Sequence, residues 1–364
     1  MSAPSPTAAQ IRSLPKAVLH DHLDGGLRPS TVRELGEELG VEPPAASDEG
    51  VADWFEAAAD SGSLPRYIAT FDRTLALMQM APALRRIARE FVEDMVADGV
   101  VYAETRWAPQ QHLAGGLMMG EAVAAVQEGL DEGVAASERA GRRIVVGQIL
   151  SHMRQLPPTL ELVELAAARR DRGVLGVDLA GPEAGFPASR FAEVFERARE
   201  LQVPITIHAG EADGVASIAQ ALDCGATRLG HGVRLVDDLG PESGGPGGAG
   251  EPGPVARRVL DGGVCLEVCP RSNLQTSAAA SMDTHPVDRL RRLGARVALS
   301  SDNRLMSRTS TSREWQRVVD TFAWTLDDME RATLDALAAG FAPAAQRAAL
   351  GEDVVVPAYA AARR

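Results

Sequence analysis

The sequence predicts an α/β protein with the architecture of a (β/α)8 (TIM) barrel that carries extra helices between its first and second strands. Two observations predict it: eight short apolar runs rich in β-branched residues, and stretches with helical spacing that separate them. Strands that alternate with helices form a parallel sheet, and eight is the number of strands that closes such a barrel. An open, doubly wound sheet is the alternative that this pattern leaves.

The eight runs are spread along the chain, and each is followed by Gly, Pro, Asp or Ser. In chain order they are KAVLHDH (16–22), GVVYAETRW (99–107), RIVVGQIL (143–150), GVLGVDLA (173–180), VPITIHA (203–209), ATRLGHG (226–232), GVCLEVC (263–269) and ARVALSSD (295–302). Between them, stretches such as 83–98 and 189–202 are rich in Ala, Leu, Arg and Glu, and their apolar residues recur at helical spacing. Such stretches are typical of the helices that connect parallel strands.

Two segments are longer than a barrel connection requires. The segment 23–98, between the first two strands, exceeds one crossover helix, and we expect extra helices there that fold over the barrel mouth. The Gly/Pro-rich stretch 236–258 predicts a surface loop that is flexible over about 238–254. We expect residues 1–364 to form a single domain.

Composition narrows the class of function. The chain has 37 basic and 50 acidic residues and a formal net charge of −13, which disfavours nucleic acid as a partner because phosphate backbones bind clustered basic surfaces. Three cysteines are too few and odd in number for a disulfide framework. The first residues lack the apolar region of a secretory signal, and no apolar run is long enough to span a membrane. We expect a cytoplasmic protein without an obligate protein partner.

Histidines cluster at predicted strand ends. His20 and His22 end the first strand, and residues two apart on a strand face the same side. His208 ends the fifth strand, His231 the sixth and Asp302 the eighth. In a barrel these C-terminal ends meet at one mouth, where active sites lie. Imidazoles and a carboxylate with a position left open for water predict a metal site, for which zinc is suitable and iron or manganese would also fit.

Composition also bears on the number of metal ions. Two-metal barrel hydrolases of the amidohydrolase type commonly bridge their ions with a carboxylated lysine on the fourth strand. The only lysine of this chain, Lys16, lies at the start of the first run. That bridge is therefore excluded, and one ion is the simpler hypothesis.

Three further polar residues need separate assignment. Glu211 follows His208 by three residues, and a carboxyl group there suits general acid catalysis if burial raises its pKa. A glutamate at the start of a surface helix is the alternative. His112 follows a loop signal and is expected on the surface. His152 lies just past the third strand, near the mouth, and receives no role.

Seven blocks of sequence together resemble the adenosine deaminase family. They are LPKAVLHDHLDGGLRP, VDLAGPE, ITIHAGE, RLGHGVRL, CLEVCPRSN, THP at 284–286 and SSDNRLMS, in that family's order and from about residue 14 to 350. The last block is similar to an actinobacterial branch of the family. The resemblance implies a (β/α)8 barrel with one zinc ion, in agreement with the strand count.

The resemblance also implies how the reaction would proceed. The zinc ligands would be His20, His22, His208 and Asp302. Zinc would lower the pKa of a bound water, His231 would orient that water or accept its proton, and Asp302 would assist. Glu211 would protonate N1 of the purine, which makes C6 electrophilic. Attack at C6 would then expel ammonia and leave a 6-oxopurine.

Substrate-binding positions follow from the same resemblance: His22, Asp24, Gly181 and Asn303. Asp24 matches a position that binds a ribose hydroxyl, and Gly181 matches a glycine whose backbone amide binds the purine ring. Asn303 replaces an aspartate that often contacts N7, and we expect its NH2 group to donate that hydrogen bond without a shifted pKa. The preceding Ser300-Ser301 pair also departs from the more usual Asn-Thr.

The implied substrates are adenosine and 2′-deoxyadenosine. The alternative is a sister purine substrate, either adenine or a 5′-modified nucleoside such as aminodeoxyfutalosine. Asp24 favours the nucleosides, because adenine deaminases of this family tend to carry glutamate there and a bulky 5′ substituent would compete with the carboxylate. A metal-free relative that binds without turnover is a third hypothesis. The presence of every metal and acid position disfavours it.

Overall fold

Eight parallel strands form the centre of the computed structural model, which describes residues 5–242, 248 and 250–364. The strands of this described part are β1 (Lys16–His22), β2 (Val100–Trp107), β3 (Val145–Met153), β4 (Val174–Ala180), β5 (Thr206–Ala209), β6 (Arg228–His231), β7 (Cys265–Val268) and β8 (Arg296–Leu299). They form two hydrogen-bonded arcs, β1-β2-β3-β4 and β5-β6-β7-β8. Every pair within the arcs is parallel, as alternating strands and helices predict.

The two arcs close on each other at both edges. Val177 of β4 forms a parallel bridge with Ile205 just before β5, and Asp21 of β1 does so with Asp302 just after β8. At the second junction the N–H of His22 donates to the Asp302 carbonyl at 2.7 Å. Because both edges are paired, the sheet is a closed barrel. The predicted (β/α)8 barrel is confirmed, and the open doubly wound alternative is wrong.

Helices surround the barrel. They are α1 (Ala8–Ser13), α2 (Pro29–Leu39), α3 (Asp48–Ala59), α4 (Leu64–Ile68), α5 (Phe71–Leu75), α6 (Ala81–Ala97), α7 (Met119–Arg139), α8 (Glu161–Ala168), α9 (Ala192–Glu200), α10 (Val215–Asp223), α11 (Pro254–Asp261), α12 (Pro270–Gln275), α13 (Val287–Arg292), α14 (Thr311–Phe322), α15 (Leu326–Ala339), α16 (Ala344–Leu350) and α17 (Val356–Ala362). Among the described residues, none of these helices combines the length and the apolar character needed to cross a membrane.

The contact between α6 and α7 shows how the sequence packs these outer helices. The inward face of α6 consists of buried residues three or four apart: Leu84, Ile87, Ala88, Phe91, Val92 and Met95. Opposite them, α7 carries Gly129 and Gly133, where an added Cβ would lie 2.1 Å from the Arg85 carbonyl oxygen and 2.5 Å from the Val92 Cβ. The two glycines therefore permit a close approach of the helix axes.

The extra helices between β1 and β2 are α2 to α6, as predicted. Two of them lie over the C-terminal ends of the strands. Residues of α4 and α5, among them Tyr67 and Phe71, line the cavity at the barrel mouth. The long first connection therefore forms part of the wall around the site.

The last four strands are shorter than the sequence predicts, and for the fifth and the eighth the reason is identifiable. The fifth was predicted over 203–209 but begins at Thr206, because Pro204 has no N–H to donate to a ladder. The eighth was predicted over 295–302 but ends at Leu299. Asp302 has φ +60°, which lies outside the extended region. The metal-ligand candidate therefore stands just beyond its strand.

The Gly/Pro-rich loop has an anchored base. Leu239 and Pro252 form an antiparallel bridge, and the N–H of Gly240 donates to the Glu251 carbonyl at 2.8 Å. Residues 243–247 and 249 lie outside the described residues. Flexibility over 238–254, and the organisation of 1–364 as one domain, stay predictions.

Candidate active site

Four predicted metal ligands meet at the C-terminal end of the barrel. The ligand atoms of His20, His22 and His208 all lie within 4.8 Å of one another, and a second group of the same size joins His20, His231 and Asp302. The Oδ1 atom of Asp302 lies 3.2 Å from His20 Nε2 and 3.4 Å from His22 Nε2. The structure thus brings together side chains from β1, β5, β6 and the turn after β8.

Carboxylates on the side away from the cluster fix the tautomers of two imidazoles. His20 Nδ1 lies 3.0 Å from a Glu267 oxygen, and His208 Nδ1 lies 3.0 Å from an Asp178 oxygen. A carboxylate accepts only, so each Nδ1 carries the hydrogen and each Nε2 presents a lone pair to the cluster. Carboxylates behind histidine ligands are the usual arrangement in metal sites.

The inward side of the cluster fits a cation. His22 Nε2 and His208 Nε2 face each other at 3.1 Å, and the buried His20 Nε2 has no hydrogen-bond partner among the described residues. Since His208 Nε2 carries a lone pair, this contact requires either a hydrogen on His22 Nε2 or a cation between the two rings. Three imidazole nitrogens and a carboxylate oxygen are a donor set that suits zinc.

Polar and charged side chains inside the barrel hold the two carboxylates, Glu267 and Asp178, that support the histidines. Glu267 accepts from Arg106 at 2.6 Å and lies 2.7 Å from Arg228 Nε, and Ser151 donates to Asp178 at 2.8 Å. Burial would raise the pKa of Glu267, but the two guanidinium groups hold that pKa below its ordinary value. Glu267 therefore stays an acceptor for His20 across the ordinary pH range.

Backbone geometry at two strand ends is unusual. His231 has φ +63° and Asp302 has φ +60°, in the left-handed region that side chains other than glycine rarely occupy. Such residues persist only where the surrounding structure holds them, and they concentrate at functional sites. Gly230, just before His231, has no side chain because a Cβ there would lie 3.0 Å from both His20 Cε1 and His208 Cα.

Glu211 lies beside this cluster and is buried. Its Oε2 atom is 3.5 Å from His231 Nε2, and Thr276 Oγ1 donates to its Oε1 at 2.9 Å. Burial, reinforced by the negative charges of Asp302 and Glu183, raises the pKa of Glu211 well above its ordinary value. The surface-helix alternative is wrong, since only 4% of Glu211 is exposed.

Glu183 holds the loop that carries Glu211. Its two carboxylate oxygens accept from four consecutive backbone N–H groups, those of residues 210 to 213, at 2.6 to 3.0 Å. The Ser217 hydroxyl also donates to it, at 2.5 Å. This set of charge-assisted hydrogen bonds fixes the turn after β5.

A cavity of about 250 Å³ opens onto the cluster and is sized for a small molecule. The predicted substrate-binding residues all line it: His22, Asp24, Gly181 and Asn303. Asp24 is 3% exposed, and its Oδ1 has no hydrogen-bond partner among the described residues. A buried carboxylate oxygen without a donor is costly, so this wall of the cavity favours a ligand that supplies a hydroxyl group.

The expectation for His112 is wrong, and His152 is buried as well. A turn at Pro109–Gln111 folds His112 inward, where its Nδ1 donates to the Met78 carbonyl at 3.1 Å and its Nε2 lies 3.6 Å from Asp24. His112 is therefore fully buried behind the cavity wall. His152 is 2% exposed and does not join the ligand cluster.

Sequence reasoning assigned no role to the residues that support the site, although five of the six lie in blocks that carry the family resemblance. These are Asp178, Glu183, Glu267, Asn273, Thr276 and His285. A signal existed for two of them, because Asp178 and Glu267 are charged residues inside otherwise apolar strand runs. Such residues are rarely buried without a partner.

Comparison with known proteins agrees with this geometry. The family model described as adenosine deaminase matches residues 15–357. Adenosine deaminase 1 of Streptomyces coelicolor is 48% identical over 358 residues, which cover 98% of this chain and 90% of that protein. The structure of an N6-mAMP deaminase from Arabidopsis matches with a TM-score of 0.81 at 27% identity, over 95% of this chain and 99% of that one.

A further solved structure supports the fold. An amidohydrolase from Burkholderia ambifaria, solved with bound Zn, has a TM-score of 0.82 at 23% identity, over 99% of this chain and 94% of that one. Barrel and ligand cluster together define the class as a (β/α)8-barrel enzyme with a candidate metal site at the mouth of the barrel. Within that class, the chain belongs to the adenosine deaminase family.

Proposed function

We propose that this chain catalyses the hydrolytic deamination of adenosine and 2′-deoxyadenosine to inosine and 2′-deoxyinosine, with release of ammonia. The observation that carries the proposal is the cavity in which the ligand cluster, the buried Glu211 and the Asp24 Oδ1 atom that lacks a hydrogen bond all meet. The name of the Streptomyces relative, adenosine deaminase 1, supports the choice of adenosine.

The proposed cofactor is one zinc ion held by His20, His22, His208 and Asp302. The outward-facing Nδ1 atoms of His20 and His208 already donate to carboxylates, which leaves their Nε2 lone pairs for the ion. When bound, zinc lowers the pKa of a water molecule so that hydroxide forms near neutral pH. The chain has one lysine, and it lies at the far end of β1, so a pair of ions would lack a carboxylated lysine to bridge it.

In this proposal Glu211 is the general acid. Its raised pKa favours the protonated carboxyl, which would pass its proton to N1 of the purine. Protonation draws electrons from C6, so that a water oxygen adds there. The C6–N6 bond then breaks, one proton of the water leaves with the nitrogen as ammonia, and the other returns to Glu211. The ring retains the water oxygen as the 6-oxo group. The Glu183 contacts hold Glu211 in place.

Recognition of the nucleoside is assigned to the cavity wall. Asp24 would accept a hydrogen bond from a ribose hydroxyl, which supplies the donor that its Oδ1 lacks. The backbone amide of Gly181 would bind the ring, and the Asn303 amide would donate to N7. Since Asp24 is a carboxylate, a 5′-phosphate at that wall would meet repulsion, which favours nucleosides over nucleotides.

A substrate panel tests the proposal. Purified, zinc-loaded enzyme is mixed with adenosine, 2′-deoxyadenosine, adenine or aminodeoxyfutalosine, and the ultraviolet change that accompanies formation of the 6-oxopurine is followed. We expect fast turnover of the first two and none of adenine. Turnover of adenine or of the 5′-modified nucleoside alone would overturn the assigned substrate while keeping the chemistry. Inactivity toward all four would overturn the function.

A further inference from the structure

A hydrogen-bonded chain of three side chains begins at a backbone amide and ends at His231. The N–H of Val287 donates to His285 Nδ1 at 3.1 Å. A backbone amide can only donate, so His285 Nδ1 must be an acceptor without a hydrogen. Burial lowers the pKa of His285 to about 4, so the ring is neutral and its Nε2 carries the hydrogen.

The direction of the chain then passes through Asn273. His285 Nε2 lies 3.3 Å from Asn273 Oδ1, and Asn273 Nδ2 lies 3.0 Å from His231 Nδ1. Because His285 donates, the Asn273 oxygen faces it, and the amide NH2 group donates to His231. The Nδ1 atom of His231 is therefore an acceptor.

The opposite amide orientation is excluded by hydrogen counting. It would point the NH2 group of Asn273 at His285 Nε2, while Val287 still donates to Nδ1. Both nitrogens of His285 would then be acceptors, which neither a neutral nor a protonated imidazole allows. Asn273 is fully buried and His285 is 3% exposed, so water does not offer an alternative partner.

The consequence for His231 is a single tautomer. An imidazole whose Nδ1 accepts a hydrogen bond is neutral, because the protonated ring carries a hydrogen on both nitrogens. With Nδ1 accepting, the hydrogen is on Nε2. That atom faces the cavity, 3.5 Å from Glu211 Oε2.

We propose that Asn273 and His285 are positioning residues that hold His231 as an Nε2–H donor, so that His231 donates a hydrogen bond to the attacking water and does not accept its proton. This inference rests on the proposed function for the reaction it serves. It decides between the two roles, orienting the water or accepting its proton, that the family resemblance leaves open.

The proton balance then assigns another acceptor. As the water oxygen bonds to C6, its O–H bond breaks, and the proton passes to the carboxylate of Asp302. The same proton moves to the departing nitrogen as the C6–N6 bond breaks, while Glu211 supplies the proton at N1. The second water proton leaves the C6 hydroxyl as the 6-oxo group forms, and it returns to the Glu211 carboxylate. No proton is left on His231 at any step.

An Asn273→Asp variant separates the two roles, since it has nearly the same shape but can only accept. His231 must then place its hydrogen on Nδ1 and present a lone pair to the cavity. We expect kcat for adenosine to fall about 10²–10³-fold, as for loss of a donor to a reacting oxygen, with a much smaller change in KM and with zinc content retained. If His231 instead accepts the proton, the new carboxylate makes its ring a better base. Unchanged or increased kcat would therefore overturn the proposal.

Two variants of His285 supply the matched pair. His285→Gln keeps an oxygen to accept from Val287 and an NH2 group to donate to Asn273, and we expect it to retain most of the wild-type kcat. His285→Leu fills the space without either group, frees the Asn273 amide to rotate, and should lose most of kcat. Equal activity of the two variants would contradict the relay.

A spectroscopic readout does not depend on the substrate. Nitrogen-15 NMR of the histidine rings distinguishes the Nε2–H from the Nδ1–H tautomer, and the chain has only seven histidines. We expect the zinc-loaded wild type to show His231 with Nε2–H and the Asn273→Asp protein to show it with Nδ1–H. Wild-type His231 with Nδ1–H would overturn the relay even if adenosine is turned over. A wild type inert toward adenosine would overturn the function, and the tautomer measurement would still decide the relay.

Discussion

Glu211 lies where several neighbours disfavour its charge. It is buried, and the carboxylates of Asp302 and Glu183 add negative potential to that of its own ionised form. A carboxyl group in such surroundings keeps its proton at a pH where a solvent-exposed glutamate has lost it. The same burial that is costly for a structural carboxylate is useful for an acid, which is why perturbed carboxyl groups in a cleft are candidates for catalysis.

Replacement of Glu211 by glutamine tests this role. Glutamine keeps the shape and the hydrogen bond to Thr276 but has no acidic proton. We expect zinc content to stay near one ion per chain and kcat for adenosine to fall about 10²–10⁴-fold, the usual range for a general acid. Absorbance assays and metal analysis measure the two quantities.

The matched control is Glu90→Gln, at a buried glutamate between α2 and α6 that accepts from Thr31 and does not line the cavity. This variant should keep its turnover within a few-fold of the wild type. Near wild-type turnover by Glu211→Gln would remove Glu211 from the mechanism.

Strand β6 places its functional residue by means of a glycine. The side of Gly230 on which a side chain would stand faces His208 of β5 and His20 of β1. A Cβ added there would lie 3.0 Å from both His208 Cα and His20 Cε1. The first contact is to backbone that is fixed by the parallel ladder between β5 and β6. A larger residue at position 230 must therefore displace the two imidazole rings.

We expect Gly230→Ala to lower the affinity for zinc by at least about 10-fold, in the range seen when groups around metal ligands are altered. Competition with a chromogenic chelator measures that affinity. Gly120→Ala is the matched control, because an added Cβ on α7 would meet only atoms at 3.8 Å. Equal zinc affinity of the two variants would show that Gly230 is not needed for the ligand geometry.

The same strands show what a sequence can and cannot predict. Period and composition locate strand ends, and parallel strands share an edge, so His20, His208 and Asp302 could be expected to meet. The partners could not be derived in that way. Glu267 reaches His20 across 247 positions of sequence, and this pairing exists only because the barrel closes between β8 and β1.

Turns supply the other failures of prediction. His112 follows residues that read as a loop, yet the Pro109–Gln111 turn buries it. The relay from His285 to His231 joins a turn residue to a strand end through a helix residue, Asn273, and no periodic pattern records such a path. These contacts depend on how turns fold back, which spacing along the chain does not encode.

At the end of the barrel opposite the site, the chain buries its only lysine. The Lys16 ammonium donates to the carbonyl oxygens of Ile11, Leu14 and Arg12 at 2.7, 2.8 and 3.2 Å, and the residue is fully buried. The hydroxyl of Tyr359, on α17, donates to the neighbouring Pro15 carbonyl at 3.3 Å. Helix α1, strand β1 and helix α17 are thus joined at one point, and the charge state of Lys16 affects the stability of the whole fold.

Burial lowers the pKa of Lys16 from 10.5 to about 8. Between these two pH values the unfolded chain holds the proton and the folded chain has released it. The unfolded state therefore binds more protons, and the Lys16 contribution to the free energy of unfolding rises with pH. Below about 8 both states are protonated and above 10.5 neither is, so the contribution is flat outside that window. The full rise corresponds to about 3 kcal/mol.

A comparison of the wild type with Lys16→Met isolates this contribution. Buried groups such as Tyr102, whose pKa is raised, act in the opposite direction, but they are present in both proteins and cancel in the difference. Urea unfolding at several pH values from 7 to 10.5 gives the free energy of unfolding for each protein. We expect the wild-type value minus the variant value to increase between pH 8 and 10.5. A difference that stays constant would mean that Lys16 keeps its charge in the folded state, so that the three carbonyl hydrogen bonds outweigh the cost of burial.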